Sequence, residues 1–127
     1  MSLDKKIKQL LKKESGQILL KKYSRDNTWE FFLSNSNTWA SLIYFFTRKK
    51  YDYILLTQQR IVLIIRNKVL DEHRFNEIIS LFYNGINESI QIEESDQIIS
   101  FHVEKMKITY EEAKEIRKKL QAFSDQL

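Results

Sequence analysis

Two β-rich runs with a short polar stretch between them lie near the middle of the chain. The first covers residues 51–57 (YDYILLT) and the second covers residues 60–66 (RIVLIIR), with Gln58 and Gln59 between them. Dense Ile, Val, Leu and Tyr without Gly or Pro is typical of strands that are buried on at least one face. The pattern predicts a tight hairpin at the centre of an antiparallel sheet.

Shorter alternating runs on either side of this hairpin predict further strands. They cover residues 17–23, 69–75, 78–83, 89–93 and 98–103, and an aromatic run covers 29–33. The connections are short and polar, and Glu94, Ser95 and Asp96 form a turn between the last two runs. About seven strands with such connections predict a meander that closes on itself.

Residues 39–47 fit two periods equally well. Trp39, Leu42, Ile43 and Phe46 have helical spacing, whereas the aromatic and Ile content of the same stretch favours a strand that is apolar on both faces. Both interpretations remain open from the sequence.

The N-terminal segment has the pattern of a basic amphipathic helix. Leu3, Ile7, Leu10 and Leu11 form one apolar stripe over residues 3–14, and lysines occupy the remaining positions. Gly16 lies where a residue in the left-handed conformation would end such a helix.

A second helix is predicted from about Thr109 to about residue 124. Thr109 and Glu112 have the spacing of a capping box, and acidic residues precede basic ones along the segment as the helix dipole favours. A narrow apolar seam faces one side: Ala113, Ile116, Leu120, Phe123 and Leu127. We expect this helix to close the open mouth of the barrel.

The central hairpin also resembles a known family. Residues 55–64 (LLTQQRIVLI) are similar to the Leu-Thr-x-x-Arg strand-turn-strand signature of bacterial pleckstrin-homology-like (PH-like) domains. The resemblance covers residues 51–123, with 17–23 as the first strand and 24–50 as a long insertion. It implies one PH-like domain over residues 1–127, a barrel of about seven antiparallel strands capped by the C-terminal helix. Glu30 and Phe31 stand where eukaryotic members would carry a second basic residue, so inositol-phosphate recognition of that type is not expected.

Composition places the chain with single-domain proteins of a reducing compartment. A chain of 127 residues buries a sufficient core without a metal or disulfide, and it contains no Cys. The N-terminus lacks the apolar core of a signal peptide, and no uncharged run is long enough to span a bilayer. We therefore expect a cytoplasmic protein.

The positive charge is concentrated at the N-terminus. Residues 1–22 carry seven lysines against two acidic residues, although the net charge of the whole chain is only +4. Nucleic-acid binding is not expected, because the cations are not interleaved with aromatic residues.

Catalytic chemistry is not expected from this sequence. His73 and His102 each lack a nearby second ligand, and both fit exposed strand positions. The chain has only two glycines, Gly16 and Gly85, so no glycine-rich loop can cradle a phosphate. We expect no enzyme activity, no cofactor and no metal site.

Two surfaces are candidates for binding. The aromatic residues of the insertion either extend the core or cover a partner subunit or lipid: Trp29, Phe31, Trp39, Tyr44, Phe45 and Phe46. The lysines of the first helix either contact an anionic surface or are simply solvated: Lys5, Lys6, Lys8, Lys12 and Lys13.

Two functions follow from these surfaces. The first is a protein-interaction or self-assembly module that forms a homo-oligomer through the insertion or an open strand edge. The alternative is a peripheral binder of anionic membrane surfaces.

Overall fold

Two antiparallel sheets and two α-helices form the part of the chain that the computed structural model describes, which is residues 3–23 and 50–127. In chain order the elements are α1 (Leu3–Lys13), β1 (Gln17–Tyr23), β2 (Tyr51–Leu56), β3 (Arg60–Ile65), β4 (Lys68–Arg74), β5 (Ile78–Asn84), β6 (Ser89–Glu94), β7 (Ile98–His102), a 3₁₀ turn (Glu104–Met106) and α2 (Tyr110–Asp125). One sheet has the order β1-β2-β3-β4 and the other β5-β6-β7. A mainly β fold with a C-terminal helix is therefore confirmed.

The central hairpin is confirmed and is buried on both of its faces. Ile54 and Leu63 face the larger core, which β5, β6, β7 and α2 also line. On the opposite face Leu55 and Val62 pack beneath α1. Because both faces are covered, neither strand shows a clean alternation of polar and apolar residues.

Helix α1 packs its apolar stripe on the outer face of the first sheet. Ile7 is buried there, and Leu3, Leu10 and Leu11 pack around it. The prediction for Gly16 was wrong in detail: Ser15 has the positive φ of 53°, while all glycines have negative φ. Position 16 instead has no room for a side chain. A Cβ at this position would lie 2.7 Å from Thr57 Cγ2 and 2.8 Å from the Leu56 carbonyl oxygen.

Helix α2 has the predicted cap and most of the predicted seam. The Glu112 N–H donates to Thr109 Oγ1 over 3.2 Å, and the Thr109 N–H donates to Glu112 Oε1 over 2.9 Å. Four of the five seam residues are buried in the larger core, whereas Leu127 lies beyond the helix and is 51% exposed. The seam therefore ends at Phe123.

The same helix covers one edge strand of each sheet. Lys119 Nζ donates to the Ile18 carbonyl oxygen on β1 over 3.2 Å. Ser124 Oγ accepts from the Leu81 N–H on β5 over 2.9 Å and donates to the Leu81 carbonyl oxygen over 3.2 Å. Helix α2 thus joins the two sheets through their edges as well as through the core.

The closed barrel is not seen in the strand pairing. Among the described residues, no strand of one sheet pairs with a strand of the other. The expected strand at 29–33 and the ambiguous segment at 39–47 lie outside the described residues. Strands β1 and β2 are paired up to Tyr23 and Tyr51, so the chain leaves and re-enters the sheet at one place.

Candidate anion-binding groove

A groove of about 800 Å³ lies between the turn that joins β3 to β4 and the connection that joins β7 to α2. We call it the basic groove, and the described residues that line it are Lys50, Ile65, Arg66, Lys68, Val69, Leu70, Glu104, Lys105 and Lys107. Five of these side chains are cationic and one is a carboxylate. Three sequence-distant segments supply them, so the groove exists only in the folded chain.

The turn between β3 and β4 is held firmly by β2. Arg66 and Asn67 have φ values of 53° and 63°. Positive φ at both residues is typical of the type I′ turn that joins the strands of a two-residue hairpin. The Arg66 N–H donates to Asp52 Oδ1 over 2.9 Å. The Asn67 side chain accepts from the Tyr51 N–H over 3.0 Å, and the Asn67 N–H donates to the Tyr51 carbonyl oxygen over 3.1 Å. These bonds fix where Arg66 and the following Lys68 leave the sheet.

The opposite wall is a 3₁₀ turn anchored in the core. Val103 and Met106 are buried, and the Met106 N–H donates to the Val103 carbonyl oxygen over 3.0 Å. Lys107 has a φ of 51°, and its carbonyl oxygen accepts from Lys22 Nζ over 3.0 Å. The exposed Lys105 therefore projects from a fixed backbone.

The groove combines cations with exposed aliphatic side chains. Val69 is 62% exposed and Leu70 is 52% exposed. Lys68 and Lys105 are exposed, and within residues 3–23 and 50–127 neither makes an ion pair. A positive field beside apolar surface suits a ligand that is both anionic and apolar.

The predicted lysine surface is exposed on α1, but the apolar face of the same helix is buried in the folded protein. All five lysines of α1 are exposed. The apolar stripe that would insert into a membrane interface instead packs on Tyr53, Leu55 and their neighbours in the sheet. In this position the α1 lysines form a solvated face.

The predicted aromatic surface lies outside the described residues. Trp29, Phe31, Trp39, Tyr44, Phe45 and Phe46 all belong to the segment 24–49. The role of this segment stays a prediction.

His73 contacts a buried carboxylate. Its Nε2 lies 3.0 Å from Glu94 Oε2, which also accepts from the Asn76 N–H over 2.7 Å. Burial raises the pKa of Glu94, but the hydrogen bonds from Asn76 and His73 outweigh it and leave the pKa below its usual range. His102 is exposed on β7. Among the described residues, no group of three or more His, Asp or Glu side chains has the arrangement of a metal site.

The Thr and Arg of the hairpin signature bind a glutamate of the N-terminal segment. Thr57 Oγ1 donates to Glu14 Oε1 over 2.9 Å and accepts from the N–H groups of Gln59 and Arg60. The Arg60 guanidinium bonds both carboxylate oxygens of Glu14, and its Nη1 donates to Glu72 Oε1 over 2.7 Å. These hydrogen bonds lower the pKa of Glu14 and raise that of Arg60. The signature therefore closes the hairpin onto the turn after α1.

The basic groove was not predicted from the sequence. Its only local signals are two short basic clusters, at residues 66–68 and 105–107, each of which is too brief to distinguish from a solvated turn. What brings these clusters together is the position of the second sheet over the first, which periodicity does not reveal.

Comparison of the chain with protein-family models, with curated proteins and with solved structures found no match. In the described part of the chain, neither helix has the length and apolar character needed to cross a bilayer.

Proposed function

We propose that this protein is a non-catalytic, cytoplasmic PH-like module that attaches to anionic membrane surfaces through the basic groove. Support for the PH-like assignment comes from the strand order, the C-terminal helix in the core and the hairpin signature with Thr57 and Arg60. The observation that carries the membrane role is the groove itself, whose described lining combines five cations and one carboxylate with the exposed side chains of Val69 and Leu70.

The chemistry of the groove favours a lipid surface over the other polyanions. None of the described residues that line it is aromatic, so this part of the groove offers no platform on which bases could stack. Its exposed aliphatic side chains match the boundary between headgroups and acyl chains, where apolar side chains and lysines act together. Each Lys close to an acidic lipid surface contributes about 1 kcal/mol, and this attraction falls off within a Debye length.

The basic groove also takes the place of α1 as the surface that we expect to contact the membrane. Helix α1 has its apolar face buried against the sheet, so insertion of that face would require α1 to leave the protein. The groove needs no such change.

Sedimentation with vesicles tests this proposal. The full chain is mixed with vesicles of phosphatidylcholine alone or with added phosphatidylglycerol, at low and at physiological salt. We expect binding that requires the acidic lipid and weakens as salt increases.

Two paired variants with the same net charge distinguish the groove from α1. Lys68→Gln combined with Lys105→Gln removes two groove cations, and at about 1 kcal/mol each this weakens binding about 30-fold. Lys8→Gln combined with Lys12→Gln removes two exposed cations of α1 and leaves binding within about twofold on the same reasoning. Equal losses in both pairs, or no binding of the unmodified chain to acidic vesicles at low salt, would refute the role of the groove.

A further inference from the structure

In the described part of the chain the two sheets have four edge strands, and three of them are protected against pairing with another chain. Strands β1 and β5 each contain a register shift and are covered by Lys119 and Ser124 of α2. In the pairing of β3 with β4 the register shifts at Leu63 and Ile64, and β4 carries charges at Lys68, Asp71, Glu72 and Arg74. Bulges and charged residues are the usual means by which edge strands avoid association.

Strand β7 has none of these protections. Its sequence, IISFH, contains no Asp, Glu, Lys, Arg, Gly or Pro. It pairs with β6 in an unbroken register from Ser89 opposite His102 to Glu93 opposite Ile98. A regular, uncharged edge of β-branched and aromatic residues is the kind that accepts a further strand.

The hydrogen-bond pattern shows which backbone groups of β7 face outward. The Glu94 N–H donates to the Gln97 carbonyl oxygen, and the Val103 N–H donates to the Glu88 carbonyl oxygen, each over 2.9 Å. In an antiparallel ladder such residues alternate with residues that direct their N–H and C=O groups to the other side. The outward groups are therefore those of Ile98, Ser100 and His102, and none of the hydrogen bonds in the described part of the chain reaches them from that side.

We propose that β7 pairs with β7 of a second copy, antiparallel and with the two Ser100 residues opposite each other at the twofold axis. Only this register pairs all three outward residues of both copies, since Ile98 then lies opposite His102. On the core side, Ile99 lies opposite Phe101 of the other copy, so apolar residues meet there as well. The two three-stranded sheets become one sheet of six strands.

A second copy fits this edge better than an unrelated strand because the edge complements itself. The pairing places no like charges opposite each other within the strand, and the side chains on the core side continue the apolar layer of the second sheet. The connection that follows β7 forms one wall of the groove, but the two proposals rest on different residues: the pairing uses Ile98, Ser100 and His102, whereas the groove variants are at Lys68 and Lys105. A failure of one proposal therefore leaves the other standing.

Light scattering at increasing concentration provides the first test. We expect the mass to rise from the 15.4 kDa of one copy toward twice that value. Ser100→Lys places two like charges at the twofold axis, and because Ser100 is exposed the fold of each copy is retained. The variant should weaken dimerisation at least tenfold, while Lys114→Glu on the exposed face of α2 leaves it unchanged.

The absence of cysteine from the chain permits a direct test of register. In the variant Ser100→Cys, the new cysteine lies opposite the same cysteine of the second copy across the twofold axis. The two Cα atoms are then close enough for a disulfide to join the side chains. Ile98→Cys is also accessible, since Ile98 is 70% exposed, but it faces His102 of the second copy. Under mild oxidation we expect a covalent dimer of the first variant and little of the second.

A chain that is monomeric at every concentration, or a dimer that Ser100→Lys does not weaken, would overturn the proposal. So would a dimer that Ile98→Cys cross-links faster than Ser100→Cys, because the strands would then pair in another register or elsewhere. Association of β7 only with another protein would also contradict it.

Discussion

At the scale of single residues, one tightly held point of the described chain is the contact between the turn after α1 and the turn between β2 and β3. Glu14 is only 7% exposed, and it is held by Thr57 and Arg60. The Gln58 N–H also donates to the Glu14 carbonyl oxygen over 3.3 Å. Side chain and backbone of one residue thus fix the position of α1 on the sheet.

Replacing Glu14 with Gln should destabilise the fold at neutral pH. The change leaves the guanidinium of Arg60 with only Glu72 as a charged partner, and loss of one member of a buried ion pair costs about 3 to 5 kcal/mol. Since Arg60 is partly exposed, we expect about 3 kcal/mol in urea unfolding at pH 7. Glu72→Gln removes the more exposed partner of the same Arg and should cost less than about 1 kcal/mol. Similar losses in both variants would show that burial of Glu14 is unimportant.

The same variant should flatten the dependence of stability on pH. Hydrogen bonds from Arg60 lower the pKa of Glu14 from the usual 4.5 in the folded state, which outweighs the opposing effect of burial. Its contribution is therefore complete above that pH and is lost as the pH falls toward the folded-state value. Glu94 and Glu112 also have lowered pKa values. The variant therefore still loses stability in acid, but its unfolding free energy falls by a smaller amount. If the variant and the unmodified chain lost the same unfolding free energy between pH 7 and about pH 2, this account would be contradicted.

Gly16 and Gly85 offer a matched pair of alanine substitutions. At Gly16 a Cβ meets Thr57 Cγ2, the Leu56 carbonyl oxygen and Leu11 Cδ2, all at 2.7 to 2.9 Å, and the backbone oxygen cannot move aside cheaply. We expect Gly16→Ala to cost about 1 to 3 kcal/mol. At Gly85 the nearest atom is Nη2 of the long Arg117 side chain at 3.2 Å, so Gly85→Ala should be close to neutral in thermal unfolding. Equal effects would indicate that the crowding at Gly16 is relieved by movement of the turn.

At the scale of elements, the features that were predicted correctly are those that depend on residues close together in the sequence. The cap of α2 involves Thr109 and Glu112, three positions apart, and the hairpin signals lie within ten residues, so both were correct. The end of α1 was less accurate: Gly16 was chosen for its backbone freedom, whereas the folded chain uses its lack of a side chain. That requirement comes from Thr57, which is distant in sequence.

Shortening the buried seam of α2 should destabilise the whole protein. Ile116 and Leu120 are fully buried between the sheets, and replacing either with Ala removes apolar contacts and leaves a cavity. We expect a loss of about 2 to 5 kcal/mol for each in urea unfolding. Lys118→Ala on the exposed face removes only an exposed pair with Glu115 at 3.8 Å, and should change stability by less than about 0.5 kcal/mol. A loss near zero at Leu120 would show that the helix is not seated in the core.

At the scale of the whole molecule, the basic groove shows why fold class was easier to predict than the candidate site. Strand and helix patterns are read within one segment. The groove instead needs Lys50, Lys68 and Lys105 to meet, which depends on how two sheets and a 3₁₀ turn are placed in space. The sequence correctly indicated excess positive charge, but at α1, where the lysines are solvated, and not at the groove.

The position of α2 in chain order affects how the protein is made. All seven strands of the described chain leave the ribosome before the helix that covers β1 and β5. During synthesis, both sheet edges therefore stay open until Lys119 and Ser124 emerge. Such edges are the surfaces through which incompletely folded chains aggregate. Slow translation or a stall just before α2 would prolong this exposure, so the nascent chain is most prone to aggregate in the interval before α2 docks.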